Sequence, residues 1–190
     1  MQLATGIART FQLLFSIVAL GLSITLGIQQ IIGAVPPQTK WAESAGTLGV
    51  VAALFGIIIS FLESWQEFVP WLLDLLAGIA LLAAGISQAY AVTLGNVDCD
   101  NTAAHNGLAW DNVLISGGCE YRDEIKHCYN GDHGQYIRPR CVWAKVDTLF
   151  MFLGFAACVG VMIVTRSIAE ASRNISALFE VSGWGNIMGS

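Results

Sequence analysis

The chain has 190 residues, of which 55% are hydrophobic and only 12% charged, with a formal net charge of −5 at pH 7. A charged share about half that of ordinary soluble domains excludes a water-soluble fold, because too little polar surface exists to cover so much apolar material. The acidic balance, with nine Lys and Arg residues scattered along the chain and no basic stripe, excludes nucleic acid as a partner.

The apolar residues fall in four runs. The first, Phe11 to Val35, contains no charge and is closed by Pro36-Pro37. It is far longer than the apolar core of a secretory signal, so it reads as a retained helix. Ala45 to Phe61 is a second uncharged run; Phe68 to Leu94 is a third, interrupted only by Asp74; and Val146 to Thr165 is a fourth, with Asp147 near its start. A hydrocarbon core about 30 Å thick takes roughly 20 helical residues to cross. Inside it every backbone donor needs an internal partner, so such runs must be helical. The expected fold is an all-α membrane protein: a four-transmembrane-helix bundle with helices at about 11–35, 45–61, 68–94 and 146–165. Residues 1–168 form the transmembrane domain. In the tail, 169–190, Ala171, Ile175 and Leu178 continue the helical spacing begun at Ile168. That suits either an amphipathic helix on the membrane surface or a continuation of the fourth helix.

Four of the five cysteines, Cys99, Cys119, Cys128 and Cys141, lie in the long connection 95–145. An even number in a compact segment indicates oxidised pairs, and four allow three pairings. Cys99 with Cys141 is favoured, because both sit near helix ends and would tie the base of the loop. Cys119 with Cys128 then staples an inner hairpin. Oxidation places this loop outside the cell and both termini in the cytosol. The basic residues point the other way: Arg9, Arg166 and Arg173 lie on the terminal side, against Lys40, Arg122, Lys126, Arg138, Arg140 and Lys145 on the loop side, which by the positive-inside rule favours a cytosolic loop. The cysteines outweigh this count, since the loop's bases are interleaved with acids.

Asp74 is the most informative single residue, because an acid within a span is costly and by default functional. Asp74, Gly78, Leu81, Gly85 and Gln88 recur at i, i+4, i+7, i+11 and i+14, which gathers polar and small residues on one face of helix three. Gly49 with Ala53, and Ala52 with Gly56, repeat the small-residue pattern on helix two. Small residues let membrane helices approach closely, so these faces are expected inside the bundle or between copies. Asp74 would then accept hydrogen bonds from another helix.

Signatures of catalysis are lacking. There is no Cys-x-x-Cys for thiol chemistry, no closely spaced ligand pair for zinc among the cysteines, His105, His127 and His133, and no phosphate loop, nucleophile elbow or dinucleotide fingerprint. A non-enzymatic protein without metal or cofactor is expected.

The segments Pro70-Trp71-Leu72-Leu73-Asp74-Leu75-Leu76, Val97-Asp98-Cys99-Asp100-Asn101 and Arg140-Cys141, followed by the aromatic run Leu149-Phe150-Met151-Phe152-Leu153, give the chain a likeness to a known group. Over roughly residues 1–170 it resembles MARVEL-domain proteins, and most closely their fungal branch, the non-classical export family. The additional pair Cys119 and Cys128 departs from that branch. The resemblance implies a membrane-organising scaffold of the plasma membrane, active in microdomains of the eisosome type, membrane curvature or vesicle traffic. Membrane lipids, sterol among them, further copies of the chain and other membrane proteins are the implied partners. Two other readings stand beside it: a small-solute or proton pathway using Asp74, and an accessory subunit of a larger membrane complex.

Overall fold

Two prolines decide where the first membrane helix is left behind and the second begins. Pro37 opens a helix at its first position, where a missing N–H costs nothing, and the carbonyl of Pro36 accepts from the amides of Thr39 and Lys40. The computed structural model describes residues 2–60, 68–93, 99, 112–122, 125–129 and 137–185. Four long helices, α1 (Gln2–Ile28), α2 (Pro37–Ser60), α3 (Phe68–Thr93) and α5 (Ile137–Gly185), are joined by a short α4 (Val113–Ser116) and a hairpin of β1 (Cys119–Arg122) and β2 (Ile125–Cys128). Each long helix is apolar enough and long enough to cross a membrane.

The helices form an up-down-up-down bundle. α1 packs on α2 and α5, α3 packs on the same two, and α1 and α3 face each other across the diagonal. The interior is built from small residues: Ala19, Ala42, Ala45, Ala52, Ala77 and Ala84 are buried with Leu81, Met151 and Cys158. A Cβ added at Gly46 would stand 3.0 Å from the Cα of Leu20, so α1 and α2 touch almost backbone to backbone. Large apolar side chains point outward instead: Phe11, Ile17, Leu54, Ile79, Ile86 and Ile163 are exposed. That inversion of a soluble core is what a lipid solvent requires, since burying Leu against Leu gains nothing over burying it against acyl chains. Half-buried Trp71 and exposed Tyr90 mark the two ends of α3, about 28 Å apart at 1.5 Å per residue, close to the thickness of a hydrocarbon core.

The helix bounds depart from the hydropathy reading in three places. α1 begins at Gln2 and ends at Ile28, rather than covering 11–35, because Arg9 and Gln12 are buried inside the bundle instead of flanking it. The rest of that apolar run is a turn: Gly33 takes φ 80, and the amides of Ile31 and Ile32 bond to the carbonyl of Gly117. α2 starts at Pro37 rather than 45. α5 is one unbroken helix of 49 residues, so residues 137–145 of the expected loop and 169–185 of the expected tail both belong to it. Beyond hydrocarbon, a helix needs no apolar side chains, which is why hydropathy sees only its middle.

Over the loop end sits a small cap. The register of the hairpin sets Cys119 opposite Cys128, and both Cys119–Cys128 and Cys99–Cys141 are disulfides. Cys99 and Cys141 are buried with Ile115 and Ile137. Gly117 and Gly118 both take positive φ, 76° and 99°, and a Cβ at Gly118 would run into the carbonyl of Ile32; only glycine lets the cap settle on the α1–α2 connection. The connection Leu62–Glu67 and the rest of the expected loop, including His105 and His133, lie outside the described residues.

Candidate functional site: two polar layers inside the bundle

Six of the polar side chains buried among the four long helices gather in two layers. Nearer the termini, Arg9 and Gln12 from α1, Gly56 from α2, Asp74 from α3 and Cys158 from α5 meet. Arg9 Nη1 donates to Asp74 Oδ1 at 2.5 Å and to Gln12 Oε1 at 3.1 Å. Gln12 Nε2 donates to the same Asp74 oxygen at 2.9 Å and lies 3.3 Å from Cys158 Sγ. The ion pair is almost wholly buried, 3% and 1% exposed. A carboxylate or guanidinium alone in such a place is costly; paired and hydrogen-bonded, each answers the other. Gly56 makes the pairing possible, because a Cβ there would strike the Arg9 guanidinium.

The second layer lies toward the cap. Ser23 Oγ of α1 and Gln88 Nε2 of α3 both donate to Asp147 Oδ2 of α5, at 2.8 and 2.9 Å. All three side chains are fully buried. Asp74 and Gln88 share a face of α3 but are about 21 Å apart along it, and the space between is filled by Leu81 and alanines. The stripe is thus split between two separate sites. Gly78 lies against Cys158, Gly85 against Met151 and Phe152, and Gly49 against Ser16, all as packing positions; Ala53 is fully buried.

A third buried group ties the cap down. Arg140 Nε donates to the carbonyl of Leu114 at 2.7 Å, and Nη2 to the carbonyl of Leu26 and to Gln30 Oε1, each at 3.0 Å. The last carbonyls of α1 carry the negative end of its dipole, so the cation seals that helix end and joins α1, α4 and α5. On the other side Arg166 stacks 5.0 Å from the centre of the Trp71 ring, an attraction between cation and aromatic face.

Sequence reasoning singled out Asp74, Gln88 and Gly56 but not their partners. Arg9 reads as a basic flank, Asp147 as an acid at the edge of a run, and Arg140 as one of many loop bases. A usable signal exists in α1: Arg9, Gln12, Ser16, Ala19 and Ser23 recur at i, i+3, i+7, i+10 and i+14, the same kind of stripe as in α3. Among the described residues no three His, Cys, Asp or Glu side chains converge where a metal ion would fit.

No curated protein and no solved structure matches the chain. The sequence model of MARVEL, the membrane-associating domain, matches residues 2–164, which takes in all of α1, α2 and α3, the cap and α5 as far as Val164. The chain belongs to the MARVEL family.

Proposed function

We propose that this protein is a non-enzymatic membrane-organising scaffold that assembles laterally in the plasma membrane, with both termini in the cytosol and the disulfide-bonded cap outside. The observation that carries the reading is where the polarity goes. Both acids buried in the bundle are engaged by neighbouring helices, while the flanks of the bundle offer lipid a continuous apolar surface. Such a body interacts with its surroundings through shape and thickness. Gly21 on α1, with nothing within 4 Å of its Cβ position, stands between exposed Ile17 and Ile24, where the helix of a second copy can come close. Membership of a membrane-associating family is consistent with lipid contact, and the likeness to the fungal non-classical export branch supports microdomain, curvature or vesicle-traffic work in sterol-bearing membrane. The two disulfides support an extracellular cap, since such bonds persist in oxidising compartments.

A solute or proton pathway through Asp74 is the weaker reading. The carboxylate is held by Arg9 and Gln12, and the middle of the bundle is packed with Leu81, Met151 and alanines. Proximity cross-linking in native membranes at low protein density tests the scaffold reading: adducts larger than one chain are expected, and a strictly monomeric species in every lipid mixture would sink it.

A further inference from the structure

The two layers differ in how their acids are balanced. Asp74 has a guanidinium; among the described residues Asp147 has only two donors, both neutral, the Ser23 hydroxyl and the Gln88 amide, and both address Oδ2. Its other oxygen, Oδ1, and the carbonyl oxygen Oε1 of Gln88 meet no donor among the described residues, although both side chains are fully buried. Gln88 Nε2 lies 2.9 Å from Asp147 Oδ2, so both remaining oxygens belong to the two groups that make this contact. The Thr39 hydroxyl of α2, also fully buried and without a partner among the described residues, lies nearer the cap, with its methyl 3.8 Å from the Cβ position of Gly27.

The surrounding helices do not bring the missing charge. On α1 the only cation is Arg9, about 21 Å away along the helix and bound to Asp74. On α2, Lys40 is exposed and Glu43 half-buried; α3 carries no charge except Asp74. On α5, Arg138 and Lys145 are exposed, and buried Arg140, about two turns nearer the cap, gives its Nε and Nη2 to Leu114, Leu26 and Gln30, while its Nη1 meets no acceptor among the described residues. The layer is therefore rich in hard oxygen acceptors and poor in positive charge, in a place where an unbalanced carboxylate is costly.

We propose that Ser23, Gln88 and Asp147 form a binding site for one small monovalent cation, a proton or a sodium ion, with Asp147 supplying the countercharge. A proton on Oδ1 removes the buried charge of Asp147 and turns that oxygen into a donor. A sodium ion takes the unpartnered Oδ1 as a ligand, in keeping with the preference of hard cations for oxygen. Full burial of all three side chains limits the guest to the size of a bare ion. The inference is independent of lateral assembly.

The test uses the full chain in neutral-lipid nanodiscs. In one arm the thermal midpoint is followed as sodium chloride replaces choline chloride at constant ionic strength. In the other, isotope-edited infrared spectra at neutral pH are searched for the C=O stretch of a protonated carboxylic acid. A sodium guest raises the midpoint with the logarithm of its concentration, and Asp147→Asn abolishes the rise. A proton guest gives an infrared band that Asp147→Asn removes and Asp74→Asn leaves. Ser23→Ala and Gln88→Leu guard against a variant that fails to fold: the first weakens the sodium response, the second moves the band. A midpoint indifferent to sodium together with a spectrum lacking the band overturns the proposal.

Discussion

Arg9 on α1 and Asp74 on α3 join across the diagonal of the bundle, Nη1 to Oδ1 at 2.5 Å, although the two helices otherwise pack on α2 and α5 and scarcely on each other. One contact therefore fixes the rotation of both helices and the depth at which they cross.

Removing one partner leaves the other charge buried and alone, which in comparable settings costs about 3 to 5 kcal/mol. Arg9→Met and Asp74→Leu should each destabilise the protein by an amount of that order, and the double substitution by clearly less than their sum. Thermal unfolding of the four members of this cycle in nanodiscs measures the coupling; simple additivity would mean that the pair does not hold the diagonal.

Gly56 depends on Arg9 in turn. Gly56→Ala puts a methyl where the guanidinium lies and should cost about 1 to 3 kcal/mol, the usual range for overpacking. With Arg9→Met already in place the same change should cost much less, because residues that share a contact are not additive. An equal cost in both backgrounds would place the clash elsewhere.

At the cap, Gly118→Ala combines a left-handed backbone with a collision against the Ile32 carbonyl. Hydrogen exchange at the amides of Ile31 and Ile32, which bond to Gly117, should speed up, while amides in the middle of α1 keep their protection. Uniform loss of protection along α1 would show that the cap and the bundle unfold as one unit.

Breaking Cys99–Cys141 by Cys99→Ser should lower stability by about 2 to 4 kcal/mol on the chain-entropy account of a loop of this size. The free thiol of Cys141, now unprotected, should become reactive toward an impermeant maleimide in intact cells. Labelling only after the membrane is opened would put the cap in the cytosol and reverse the proposed topology.

Lateral assembly makes its own prediction. At Gly21 an added Cβ finds no atom of the described residues within 4 Å, so Gly21→Leu should leave monomer stability within about 0.5 kcal/mol, as for ordinary surface changes, while cross-linked dimer falls several-fold. Unchanged cross-linking would remove this face of α1 from the interface.

The architecture was legible because lipid selects for something averages can detect. α3 shows this best: a run from Phe68 to Leu94 became a helix from Phe68 to Thr93, since both ends coincide with the edges of the apolar stretch. Where a helix leaves hydrocarbon, or holds a charge inside it, the averages mislead. Arg9 lowers the hydropathy of the first turns of α1 although it is buried, and Arg138, Arg140 and Lys145 hide the start of α5 although the helix runs through them. Of the layers, the α3 half was visible as a face with Asp74 and Gln88 on it. Which cation answers Asp74, and that none among the described residues answers Asp147 at contact distance, depend on which helices become neighbours; a single helix face carries no record of that.

The span of chain between Arg9 and Asp74 has a consequence for biogenesis. The two residues are 65 positions apart, so during translation the first helix leaves the ribosome with its guanidinium long before the carboxylate that neutralises it exists. Until the third helix arrives, that arginine must stay among lipid headgroups or with the insertion machinery, holding α1 shallow. The nascent protein thus settles to its final depth in one late step, and a polypeptide ended before Asp74 would be left with a poorly seated first helix for quality control to remove.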